Sequence, residues 1–285
     1  MSKMMMQWVR LLAAVLVAVM APLSGLQAET RDLGQGVQLQ GNFVQGGLVT
    51  GTAPKNLQVQ FQQRKLLRNS DGLFVLGFNR DDATQQQLVI IQGDGRQQTL
   101  PFTISAREYD VQKVNGVPAR TVNPDPKDMA RIEKETAQVA EAREAAAAQA
   151  FFKNGFVWPV KGPVSGVYGS QRIFNGEPRS PHFGVDLAVP AGTPIFAPAD
   201  GVITLAEKDL FFSGGTIILD HGMGINSGYL HMSKLLVKKG DKVKQGQKIG
   251  LVGSSGRATG PHLCWRLNWY QSRLDPQLVT VTPKP

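Results

Sequence analysis

His262 and Cys264 stand two residues apart in Thr259-Gly260-Pro261-His262-Leu263-Cys264-Trp265. On a strand, residues i and i+2 share a face, so both side chains turn toward one pocket while Leu263 and Trp265 turn the other way. A second polar pair sits in His182-Phe183-Gly184-Val185-Asp186, and a further histidine, His231, in Gly228-Tyr229-Leu230-His231-Met232. Histidine, carboxylate and thiolate are the common zinc ligands, and a catalytic zinc keeps three of them plus an open position for water. All four histidines and the one cysteine lie between His182 and Cys264, and the first 181 residues contain neither type. Metal chemistry, if present, belongs to the C-terminal part of the chain.

The elements that must hold these residues are short strands. Ala197 to Ile203, Thr216 to Asp220 and the stretch from Val237 to Gly250 alternate apolar residues with glycine and lysine turns, and long helical periodicity is absent. A compact antiparallel β domain over 155–285 is expected. From Leu33 to Lys113 the pattern is also strand-rich. Leu57-Gln58-Val59-Gln60-Phe61 alternates at period two, and Asn69-Ser70-Asp71-Gly72 and Gly93-Asp94-Gly95 are turn signals. Pro101 marks an edge strand. Six or seven strands at this spacing predict a small immunoglobulin-like β-sandwich over 29–122. With no histidine, cysteine or dense carboxylate cluster, that module reads as an accessory for targeting or spacing. Between the two lies a linker and helix over 123–154, with Asp128 as its cap and Gly155 as its stop. Its apolar stripe is narrow, so it either lies against a neighbouring domain or serves as a solvated spacer. The fold class is therefore mostly β, with one connecting α-helix.

The bulk numbers set the surroundings. A formal charge of +9 and 285 residues suit an acidic partner such as an anionic polymer, and equally suit plain solubility. One cysteine excludes an internal disulfide. Lys3 and Arg10 precede an apolar run from Leu11 to Ala21, broken by Pro22 and Gly25 and followed by Leu26-Gln27-Ala28. This reads as a secretory signal peptide over 1–28, giving a periplasmic or secreted protein. The run is shorter than the roughly 20 residues of a membrane span, so membrane attachment is expected only if the leader stays uncleaved. Nucleic-acid binding has the charge in its favour, but no aromatic-basic surface motif accompanies it and the export signal argues against it.

Taken together, the stretches His182 to Ala188, Gly192 to Gly201, Tyr229 to Ser233, Gly246 to Gly250 and Gly253 to Leu263 closely resemble the lysostaphin-type, or LytM-domain, zinc endopeptidases. The resemblance covers roughly Trp158 to Pro276. It implies a mostly antiparallel β fold with an open groove and hydrolysis of peptide bonds in bacterial peptidoglycan, with one Zn²⁺ per chain. On that resemblance His182 and Asp186 fall on the first two metal ligands, and His231 and His262 on the two catalytic histidines. The third ligand falls on Cys264, where the family has histidine. Thiolate is a normal zinc ligand whose longer bond partly offsets its shorter side chain. It also lowers the net charge of the centre. His262 is the expected general base, and His231 the expected hydrogen-bond donor to the developing oxyanion. Tyr229 and Arg257 are weaker candidates for lining the substrate groove, and His221 reads as a structural turn residue.

Two functions stay open at this level. One is an exported zinc endopeptidase cutting peptidoglycan cross-links. The other is a non-catalytic LytM-domain protein that binds peptidoglycan or activates other wall hydrolases, with Cys264 as a small buried hydrophobe in a degenerate site.

Overall fold

The computed structural model describes residues 28–281. The expected leader over 1–28 lies outside them except for its last residue. Among the described residues no helix is long and apolar enough to cross a membrane.

The chain is mostly β. Its N-terminal part is two four-stranded antiparallel sheets. One orders the strands Glu29–Asp32, Gln38–Gly41, Leu48–Thr52 and Leu73–Gly77, and the other Arg64–Lys65, Gln58–Phe61, Gln85–Ile91 and Gln97–Thr103. The Gln97–Thr103 strand, which carries Pro101, is an edge. Alternation along each strand sends Leu39, Val49, Phe74 and Leu76 of one sheet against Val59, Phe61, Leu88 and Ile90 of the other.

The C-terminal part is built on an eight-stranded antiparallel sheet. In spatial order its strands are Val164–Gly166, Val185–Leu187, Leu263–Trp269, Ile225–Met232, Gly214–Gly222, Gly201–Leu210 and Lys242–Val243, with Ser272–Leu274 paired to Leu263–Trp269. One face buries Val185, Leu187, Tyr229, Leu263 and Trp265 in a core of their own. The other face is the floor of a groove.

The N-terminal sandwich shares its core with the large sheet. Trp269, Leu267, Leu274 and Ile225 of the large sheet belong to the same apolar cluster as the sandwich. The Trp269 and Phe61 rings meet tilted, 5.9 Å apart at their centroids, and Trp269 touches Gly77, where a Cβ would collide with the tryptophan side chain. Strand pairing also links the two parts. The strand Val111–Val114 pairs in parallel with Gln171–Phe174, setting Gln112 opposite Arg172.

The connecting helix spans Met129–Glu144, shorter than the sequence suggests, after a 3-10 turn at Pro126–Asp128. Asp128 does not cap it and instead pairs with Arg120, whose Nε donates at 2.7 Å. The alanine run that follows has helical propensity but is extended from Ala145. Its backbone is taken up by the Asp220–Met223 turn: Ala147 N–H donates to Asp220, Met223 N–H to the Ala147 carbonyl, and Phe151 N–H to the His221 carbonyl. Gly222, at φ 82°, lies against the Gln149 carbonyl, so no side chain fits there. Tertiary hydrogen bonds have outweighed a local preference. The helix lies against the large sheet through Val139 and Ala142, which pack on Leu205, Leu210 and Ile218. Gln138 and Glu135 tie it down at Glu207 and the Phe211 amide.

Candidate metal centre

The register of the sheet assembles the site. Asp186 stands opposite Cys264, which stands opposite Leu230 on the next strand. His182 precedes the Val185–Leu187 strand, tied at its backbone to Ser170 and Gly169. One ligand atom each from His182, Asp186 and Cys264 lies within 4.8 Å of the others. The His182 Nε2 atom is 3.0 Å from Asp186 Oδ1 and 3.4 Å from Cys264 Sγ. All three side chains are buried.

His182 Nδ1 lies 3.2 Å from the Val167 carbonyl. A carbonyl only accepts, so Nδ1 carries a proton and Nε2 is the atom turned to Asp186 and Cys264, the orientation a metal-binding imidazole needs. Asp186 Oδ1 is buried and meets no polar group closer than His182 Nε2, and a buried carboxylate oxygen is costly unless something positive meets it. Burial alone would lower the pKa of His182, but Asp186 and Cys264 outweigh it and push it up to about 9. Burial would raise that of Asp186, yet His182, Arg172 and His262 hold it well below the usual carboxylate range. A proton on His182 thus sits where a divalent cation would satisfy all three groups. The donor set fits zinc: one nitrogen, one oxygen and one sulfur, with room for a fourth ligand on the groove side.

His262 and His231 flank this cluster, their rings 4.8 Å apart. His262 Nε2 is 3.9 Å from Asp186 Oδ1, and its Nδ1 donates to the Gly260 carbonyl at 2.9 Å. His231 Nδ1 donates to the Ser255 carbonyl at 2.8 Å. Burial first, and His262 second, push the pKa of His231 down to about 3, so its ring is neutral. His231 has φ 64° at a register shift. That left-handed residue breaks the alternation, so Leu230 and His231 both line the groove although they are neighbours. A side chain held in this sparsely populated conformation is common where function over-determines the backbone.

Of the two groove candidates, Arg257 lines the cavity, its guanidinium set between Phe174 and Phe212. Tyr229 does not. It faces the core, fully buried, its hydroxyl 2.6 Å from that of Ser227, because alternation gives the groove to Gly228 and Leu230. His221 is structural, at the end of the Gly214–Gly222 strand where it runs into the turn at Met223, bonded to the Asp200 carbonyl and the Ser227 hydroxyl.

Sequence reasoning missed Arg172. Its guanidinium donates to Asp186 Oδ2 at 2.7 Å in a buried pair. Gly166 leaves room for that pair, since a Cβ there would strike both partners. No spacing signal links Arg172 to Asp186. Arg266 was within reach of sequence reasoning, being two residues along the same strand face as Cys264.

Comparison with known proteins places this geometry. The model of peptidase family M23 matches residues 180–276. The peptidoglycan DD-endopeptidase ShyA of Vibrio cholerae is 47% identical over 88 residues, which are 31% of this chain and 20% of that protein. The DD-carboxypeptidase/endopeptidase Mpg of Neisseria meningitidis is 41% identical over 98 residues, 34% of this chain and 21% of that one. The chain thus spans about a fifth of the length of these curated relatives. A crystal structure named for peptidase M23 from Pseudomonas aeruginosa matches at 30% identity and a TM-score of 0.63, covering 83% of this chain and 94% of that chain. Since that pairing covers 83% of this chain, far more than residues 180–276, the chain belongs to peptidase family M23.

Proposed function

We propose that this protein is an exported zinc-dependent endopeptidase that hydrolyses peptide cross-links of bacterial peptidoglycan. The observation that carries the reading is the convergence of His182 Nε2, Asp186 Oδ1 and Cys264 Sγ beneath two neutral-capable histidines at one end of an open groove. Similarity to peptidoglycan DD-endopeptidases supports the substrate class, and the basic charge suits an anionic wall. Export rests on the Lys3 to Ala28 segment alone.

His182, Asp186 and Cys264 would hold the zinc. Bound there, zinc supplies a Lewis acid and lowers the pKa of water toward neutrality. The chain's own groups do the rest. His262, with its proton on Nδ1, offers the Nε2 lone pair beside Asp186 and accepts a proton from water. His231 is arranged the same way, which revises the role expected from sequence. A neutral ring that donates from Nδ1 to Ser255 has only a lone pair at Nε2. It stabilises an oxyanion by hydrogen bonding only after taking up a proton. The proton that His262 takes from water at Nε2 is the one it hands on to the leaving amine, which restores its neutral ring, and the Nε2 lone pair of His231 lies beside that path. Arg172, on the outer oxygen of Asp186, fixes that carboxylate and offsets part of the negative charge that a Cys264 thiolate adds.

Digestion of purified peptidoglycan, with product identification, tests the reading. Release of muropeptides with new amino termini, lost with chelator and restored by Zn²⁺, is the expected result. A folded, zinc-loaded protein that binds the polymer and releases nothing would favour the non-catalytic alternative, a LytM-domain protein that activates other cell-wall enzymes.

A further inference from the structure

The groove floor continues past Cys264 with Arg266, then Asn268, whose partner across the sheet is Arg273. From the opposite wall the connecting helix, which lies outside the family match at 180–276, sends Arg143 into the same cavity of about 630 Å³. Arg143 is only 9% exposed. Among the described residues its guanidinium makes no ion pair or hydrogen bond, and its buried Nε has no partner. The Nε of Arg266 is buried and unpartnered too. Arg273 donates to Asn268 Oδ1 at 3.2 Å and lies over Phe183, with no carboxylate. The neighbouring acids are engaged elsewhere: Glu144 with Gln271 and Arg64, and Glu135 with Arg131 and the Phe211 amide.

Buried charges are normally paired, because leaving water uncompensated is costly. Burial first, then repulsion from Arg273 and Arg266, weighs against the charge on Arg143, yet arginine does not give up its proton in proteins. Three converging guanidiniums without a counter-charge are therefore built for an anion from outside the chain. Guanidinium's fork of donors matches a carboxylate. Two residues of strand separate Arg266 from Cys264, about 7 Å, so a peptide laid along the strand reaches both at once.

We propose that Arg143, Arg266 and Arg273 form a carboxylate-binding subsite of the groove, which takes a free side-chain or terminal carboxylate of an acidic peptide about two residues from the bond to be cut. The inference rests on the peptidase reading for its substrate and deepens it. It also gives the connecting helix a part in binding.

Calorimetric titration of the zinc-loaded full chain separates the two claims, since it needs no turnover. The probes are a synthetic wall tripeptide with a free glutamyl carboxylate, which has no cross-link to cut, the same tripeptide as its carboxamide, and inorganic phosphate. The carboxylate form should bind roughly ten- to a hundredfold tighter than the amide, the ratio expected from one set of charge-assisted hydrogen bonds. Arg143→Met and Arg273→Gln should each shrink that ratio toward one while zinc content holds. Arg266→Gln provides a third variant should Arg143→Met fail to fold. Equal affinity for the two tripeptides, a ratio unmoved in folded variants, or phosphate binding as tightly as the carboxylate peptide would each overturn the subsite. Absence of peptidoglycan cleavage alongside arginine-dependent carboxylate binding would instead remove the peptidase reading and keep the subsite.

Discussion

Cys264 holding zinc as the proposal has it would bring a second negative charge beside Asp186, and Arg172 brings a positive one 2.7 Å from the outer oxygen of that carboxylate. The two departures balance. Loss of an outer partner of a metal ligand typically costs ten- to a hundredfold in affinity. Arg172→Gln is therefore expected to weaken zinc by roughly that factor, measured by competition with a chelator of known affinity, while the far-ultraviolet circular dichroism of the zinc-loaded protein stays that of the parent. Unaltered zinc affinity would mean that Gly166 and the strand alone orient Asp186. At this scale the sequence was legible where residue type itself is rare: His182, His231, His262 and Cys264 stand out in a chain with so few of either type. Arg172 and Arg143 did not, since arginine is common and their meaning lies in what they face. Tyr229 was misjudged because i and i+2 share a face only on an unbroken strand, and the left-handed His231 breaks this one.

Elements decide which face each residue shows. Strand alternation predicts Cys264 and Arg266 on the groove side, and it fails at His231 only because a left-handed residue interrupts it. The alanine run after Glu144 was read as helix, and no local signal reveals that the Asp220–Met223 turn claims its backbone. That turn also carries two buried titrating groups of opposite sense. Burial pushes His221 down to about 4. The unfolded chain takes up a proton near pH 6.5 that the folded one refuses, so His221 stability is lost as pH falls from about 6.5 to about 4. Burial pushes Asp220 up to about 6, so its contribution is lost as pH rises from about 4 to about 6. At about 1.4 kcal/mol per pH unit each amounts to about 3 kcal/mol, and the two nearly cancel. Asp220→Asn keeps an acceptor for the Gly222 amide and removes one side of the balance. Its unfolding free energy should fall by about 3 kcal/mol more than that of the parent between pH 6.5 and 4. Denaturant titrations that run parallel across this range would refute the compensation.

At the scale of the whole molecule, the sandwich and the large sheet fold around a common core centred on Trp269 and Phe61. Strand count and turn spacing predicted two β modules, but nothing in a linear pattern says which aromatic residues will meet across 200 positions. One cooperative endotherm is expected in calorimetry. Trp269→Ala should destabilise that single transition by about 3–5 kcal/mol, rather than melt the C-terminal part alone. Two resolved endotherms, with only the later one shifted, would show the modules to be independent.

X-ray absorption at the zinc edge of the purified, zinc-loaded protein bears on the centre most directly. One sulfur at about 2.3 Å with nitrogen and oxygen neighbours at about 2.0–2.1 Å is the predicted shell, and the sulfur should vanish in Cys264→His. A shell of nitrogen and oxygen alone in the unaltered protein would mean that Cys264 holds no metal.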